Sequence, residues 1–123
     1  MSHDAVDFGL IVRSDVATRS FKQGDTIFRE GDPASELFVI KSGKVEIRHG
    51  NRLLDTLDGN NIFGEMALID NAPRSATAVA LTDVTLVPVG EKQFLFLVSQ
   101  TPFFALMVMR ALVRRLRATN DAV

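Results

Sequence analysis

The chain has 123 residues, 46% of them hydrophobic, with 14 basic against 15 acidic side chains, a net charge of −1 and no cysteine. This length gives one domain with a single real core, and the apolar content argues against disorder. The charge balance makes the whole chain no electrostatic match for nucleic acid, and the missing cysteines exclude disulfides, cysteine-ligated zinc and iron–sulfur clusters and fit a reducing cytoplasm.

Taken in order, residues 1–16 carry one apolar run, Phe8 to Val12, which suits a short helix or strand packed against the barrel. The start lacks a basic region followed by an apolar run and a small-residue cleavage site, so no signal peptide is expected. No apolar run reaches the length of a membrane span, so no membrane partner is expected. From Ala17 the pattern turns to strands. Turn residues recur at Gln23-Gly24-Asp25, Gly31-Asp32-Pro33, Ser42-Gly43, Gly50-Asn51 and Asp58-Gly59-Asn60. Such regular short spacing marks antiparallel strands in a barrel or sandwich. Strands are expected at Thr26 to Arg29, Glu36 to Lys41, Lys44 to His49, Leu53 to Leu57, Ser75 to Leu81 and Val84 to Val89. Val45, Ile47 and His49 alternate with Lys44, Glu46 and Arg48, as a half-buried strand requires. The two histidines, His3 and His49, lie far apart without ligand companions, so no metal site is expected.

The stretch from Asn61 to Ala80 carries the chemistry. Ile62-Phe63 ends a strand, Gly64 permits a sharp turn, and Glu65 to Leu68 suits one or two helical turns. Pro73 closes the loop, and Arg74 and Ser75 open the next strand. A guanidinium fork, a hydroxyl and the unpaired amides of a first helical turn suit a phosphate. A carboxylate at Glu65 suits sugar hydroxyls. Small residues at Ala76, Ala78 and Ala80 leave room inside a barrel wall. The plainer alternative is that Arg74 pairs with Asp70 or Glu65 at the surface and Gly64 serves only a turn.

The period then changes. A helix is expected from Glu91 to Ser99, a break at Thr101-Pro102, and a second helix from Phe103 to about Thr119. Phe104, Val108 and Leu112 form one stripe of that helix; Leu106, Met109, Val113 and Leu116 form another. Two stripes exceed what one barrel face needs. Either the helix is buried all round, or the second stripe meets a partner such as a second copy of the chain. Arg110, Arg114 and Arg117 share the remaining face and read as solvated.

Phe63-Gly64-Glu65-Met66-Ala67-Leu68 followed by Pro73-Arg74-Ser75-Ala76-Thr77-Ala78 resembles the phosphate-binding cassette of the cyclic nucleotide-binding domain. That is the sensor domain of the catabolite activator protein, protein kinase A regulatory subunits and cyclic-nucleotide-gated channels. Gly24-Asp25, Phe28 to Asp32, Glu36 to Ile40 and Ser42 to Ile47 fit as well, so the resemblance covers roughly residues 17 to 120. It implies a mainly β fold: a jelly-roll barrel of about eight strands over residues 17–89, then two helices over 91–119, in one domain spanning 1–123. It implies a cyclic phosphate on Gly64, Met66 and Ala67, against Arg74, Ser75 and Ala76, with Glu65 on the ribose 2′-hydroxyl. Thr119 and Asn120 fall where the activator type contacts the base; Asn120 departs from the usual Ser. The activator type continues into a helix-turn-helix domain, whereas this chain stops at Val123, which suggests a stand-alone sensor without direct DNA binding.

The expectation is therefore a cytoplasmic binding module for cAMP, with cGMP open, that repositions its terminal helices. A homodimer through helix 103–119 and an unidentified effector protein are its expected partners. A scaffold of the same fold that no longer binds a nucleotide is the alternative. No nucleophile–base pair or metal cluster supports an enzyme, and no catalytic residue or cofactor is expected.

Overall fold

The computed structural model describes residues 17–69 and 71–121, the side chains of 115 and 118–121 excepted. The apolar run at Phe8 to Val12 lies outside the described residues. Among those residues the strands are β1 Arg19–Phe21, β2 Thr26–Phe28, β3 Glu36–Ser42, β4 Val45–His49, β5 Arg52–Leu57, β6 Ile62–Phe63, β7 Thr77–Ala80 and β8 Val84–Gly90. The helices are α1 Met66–Ile69, α2 Glu91–Gln100 and α3 Phe103–Asp121. The strands form two antiparallel four-stranded sheets, ordered β1-β8-β3-β6 and β2-β7-β4-β5. This is the jelly-roll barrel that the turn spacing and the resemblance lead one to expect.

Two apolar layers follow from the two faces of β3. Leu37 and Val39 point outward with Ile62, Val87 and Val89 and meet Leu97, Phe104, Met107, Val108 and Ala111 of the helices. Phe38 and Ile40 point inward with Val45, Ile47, Leu57, Phe63, Leu86 and the three alanines 76, 78 and 80. A strand covered on both faces must be apolar at consecutive positions, and Leu37-Phe38-Val39-Ile40 is. Pro88 lies in β8 opposite Phe38, where a missing N–H is usually costly; the β1 ladder already ends at Leu86.

Most boundaries lie within one residue of expectation, β1 is not among the expected strands, and α3 runs on to Asp121. β7 begins at Thr77, two residues later than expected, because the backbone of Arg74 is paired elsewhere, and β8 runs on to Gly90. The helices break where the sequence indicates. The Thr101 amide bonds the Leu97 carbonyl at 2.7 Å, closing α2. Pro102 needs no donor at the start of α3. The two helices meet at 119°. No single helix among the described residues is long and apolar enough to cross a membrane.

Of the two stripes on α3, Phe104 and Val108 are buried on the barrel, while Leu106, Met109, Val113 and Leu116 are exposed, Leu116 at 61%. The second stripe is therefore not part of this fold's core. Leu112 is half-buried and joins neither group cleanly.

Candidate functional site

Arg74 is held by its backbone before its side chain does anything. Its amide bonds the Asp32 carbonyl at 2.9 Å, and its carbonyl accepts from the Gly31 amide at 2.7 Å. The Gly31-Asp32 turn is itself closed by the Asp32 carboxylate, which accepts from the Arg29 amide at 2.9 Å. Gly31 has φ +90°, which a side chain would strain. The turn after β2 thus fixes where the 71–76 loop passes, although more than forty positions separate them in the chain.

The guanidinium turns inward. Arg74 is 8% exposed. Its Nη1 donates to the Gly64 carbonyl at 3.0 Å, and its Cζ stands 4.1 Å from the Phe28 ring centroid. Its Nε is buried and makes no hydrogen bond. Among the described residues it forms no ion pair. Burial pulls its pKa below the ordinary arginine value; Glu36, Asp32 and Glu65 act against that shift and Arg19 with it. An arginine stays charged at any physiological pH, so the site carries a buried cation. The surface pairing of Arg74 with Glu65 is not what the structure holds.

Gly64 has φ +76°, and a Cβ there would stand 2.6 Å from Arg74 Nη1. The glycine therefore serves both the turn and the close approach of the arginine. Its carbonyl also accepts from the Ala67 amide at 3.3 Å. That amide, expected to be open to a phosphate, is turned into α1. Glu65, next in the chain, is wholly buried.

These groups wall one cavity of about 450 Å³. It brings together Gly64, Glu65, Met66, Ala67, Arg74, Ser75 and Ala76 from the two halves of the cassette. Ile47 and Leu54 supply an apolar floor, and Leu112, Val113 and Leu116 of α3 close one side. A mostly apolar hollow with a few convergent polar groups is what a small-molecule site needs. A buried cation and a buried acid in one wall call for a ligand that is anionic at one end and carries hydroxyls beside it. The side chains of Thr119 and Asn120 lie outside those described, so the expected base contact is not placed.

Sequence reasoning passed over four contributors. Phe28 and the Gly31-Asp32 turn were visible only as matching flanks. His49 and Arg52 also line the cavity; the alternation in β4 places His49 inward but assigns it no role. His49 Nδ1 lies 3.4 Å from Glu30 Oε1 and 3.3 Å from the Ser75 carbonyl, bracing the loop after Arg74. Arg114 Nε donates to Asp55 Oδ2 at 3.0 Å, tying α3 to β5. Among the described residues no cluster of three or more His, Cys, Asp or Glu could hold a metal ion.

Compared with known proteins, residues 18–101 match the family described as Cyclic nucleotide-binding domain. The chain is 34% identical over 108 residues to a CRP-like cAMP-activated global transcriptional regulator of Mycobacterium tuberculosis, covering 82% of this chain and 47% of that protein. It is 43% identical over 63 residues to a cGMP-dependent protein kinase of Plasmodium berghei, covering 51% of this chain and 7% of the kinase. Among solved structures, the catabolite activator protein of Thermus thermophilus matches with a TM-score of 0.72 and 35% identity, over 86% of this chain and 52% of that one. The chain thus spans about half the length of the bacterial regulators it resembles.

Proposed function

Because the chain belongs to the cyclic nucleotide-binding domain family, we propose that it is a sensor module for a 3′,5′-cyclic nucleotide, cAMP first and cGMP second. The observation that carries this reading is the buried guanidinium of Arg74 beside the wholly buried Glu65 on one cavity wall. The cyclic phosphate sits against Arg74 and Ser75, and Glu65 accepts from the ribose 2′-hydroxyl. The base extends toward α3, where Leu112, Val113 and Leu116 offer apolar cover. Names such as cAMP-activated regulator and cGMP-dependent kinase among the relatives support a cyclic purine nucleotide without choosing the base.

The module acts by binding rather than catalysis, in the cytoplasm, as one unit of barrel and helices. Ligand in the cavity favours a closed α3, because the base gains contacts only with the helix in place; a ligand shifts an equilibrium by that difference alone. The exposed stripe Leu106, Met109, Val113 and Leu116 repeats at steps of three and four residues, the spacing of a two-helix seam. We therefore assign it to a second copy of the chain. Isothermal titration with cAMP, cGMP and a cyclic dinucleotide tests the central claim. One mononucleotide bound per chain is expected, and silence with all three would replace the sensor by a scaffold.

A further inference from the structure

A buried arginine is normally neutralised by a carboxylate, and Arg74 forms no ion pair with one among the described residues. Its direct partners there are the Gly64 carbonyl and two aromatic rings, Phe28 at 4.1 Å and Phe38 at 5.5 Å from Cζ. Phe28 belongs to a three-ring cluster. Its centroid lies 6.2 Å from Phe38 and 5.8 Å from Phe63, and those two are 5.4 Å apart. The bed under the guanidinium is therefore fixed by the barrel interior. Phe28 also ends β2, immediately before the turn that grips the backbone of Arg74. One short segment thus holds the arginine at both its main chain and its side chain.

From this arrangement we infer that Phe28 is a positioning residue for the anion site: it holds the Arg74 guanidinium over the cavity while leaving its charge unspent. A π face attracts a desolvated cation through the ring quadrupole without supplying a negative charge. A carboxylate in the same place would also hold the arginine, but it would compete with an anionic ligand for the same N–H groups. The Gly64 carbonyl occupies Nη1, and the ring fixes the plane in which the remaining donors lie. The identity of the ligand rests on the cyclic nucleotide reading above; the pairing of ring and guanidinium does not.

The test compares Phe28→Leu and Phe28→Tyr, each in the parent and in an Arg74→Leu background, by titration with cAMP. Phe28→Leu should weaken binding about 3–20-fold in the parent and less than about twofold in the Arg74→Leu background. Phe28→Tyr, which keeps the ring, should stay within about twofold of the parent. Equal losses in both backgrounds, or a tyrosine variant as weak as leucine, would mean that Phe28 serves only core packing, and the inference would fall. A ligand-free arm reads the contact directly by NMR. The Arg74 Nε–H proton, identified by its loss in Arg74→Leu, should be shifted upfield by the ring and return downfield in Phe28→Leu. No movement of that signal would overturn the inference whatever the protein binds. A moving signal in a protein that ignores cAMP would leave Phe28 in this role and refute the nucleotide reading instead.

Discussion

In the proposed complex Arg74 and Glu65 answer different parts of one ligand, and the two roles can be tested apart. Arg74→Leu should lower cyclic nucleotide affinity by about 1.5–3 kcal/mol, the scale of a hydrogen bond to a charged group. The barrel should still melt cooperatively, since leucine can fill the bed between Phe28 and Phe38; calorimetric titration and a thermal melt read the two effects. Glu65→Ala should weaken cAMP more than 2′-deoxy-cAMP, because the deoxy sugar has no proton to donate there. Equal losses for both nucleotides would show Glu65 acting through the fold. Gly64→Ala should reduce both stability and affinity, since it strains a positive φ and drives a methyl against Arg74 Nη1. At this scale the sequence was informative about Gly64, Glu65, Arg74 and Ser75, whose chemistry and spacing are local. It was silent about what Phe28 touches and about the hydrogen bonds that join Gly31 and Asp32 to the Arg74 backbone, because those partners meet only when distant turns are brought together by the barrel.

Single elements show the same division between pattern and packing. Both stripes of α3 were readable from the 3.6-residue period, but period alone does not say which stripe the barrel covers. Phe104 and Val108 turn out to be buried in the layer that includes Leu37, Val39, Ile62, Val87 and Val89, and Met109 is 53% exposed. Phe104→Ala should therefore cost about 3–5 kcal/mol by thermal or denaturant melt, as a deeply buried ring does. Met109→Lys should cost almost nothing in the isolated chain. The late start of β7 was likewise hidden, because it depends on Arg74 being paired across to the Gly31-Asp32 turn. The Arg114–Asp55 pair ties α3 to β5 and bears on the proposed closure of that helix. Arg114 is half exposed, so Asp55→Asn should change global stability by no more than about 1 kcal/mol. Hydrogen exchange over Phe103–Asp121 should nevertheless quicken in that variant and slow in the parent when cAMP is added. The same measurement over β3 should hardly change in either case.

The whole molecule joins a barrel closed on two apolar layers to an angled pair of helices with surface to spare. Turn spacing and the change of period after Gly90 made an antiparallel barrel or sandwich followed by helices legible, since both are written in consecutive residues, and the cassette's resemblance chose the jelly roll. What the sequence left open was whether the spare stripe belongs to the core or to a neighbour. Light scattering on size-exclusion eluate should give twice the chain mass for the parent and the chain mass for Met109→Lys; a monomeric parent would remove the second copy from the proposal. Val113 and Leu116 have a double membership: they stand in the exposed stripe and also in the wall of the cavity. Anything that covers them alters the cavity proposed to hold the base. If the proposed ligand and second copy both bind, binding and association share one free energy, and each must change the other by the same factor. The apparent dissociation constant for cAMP should consequently drift with protein concentration, and a titration repeated at nanomolar and at high micromolar chain would give two different midpoints from one unaltered sequence.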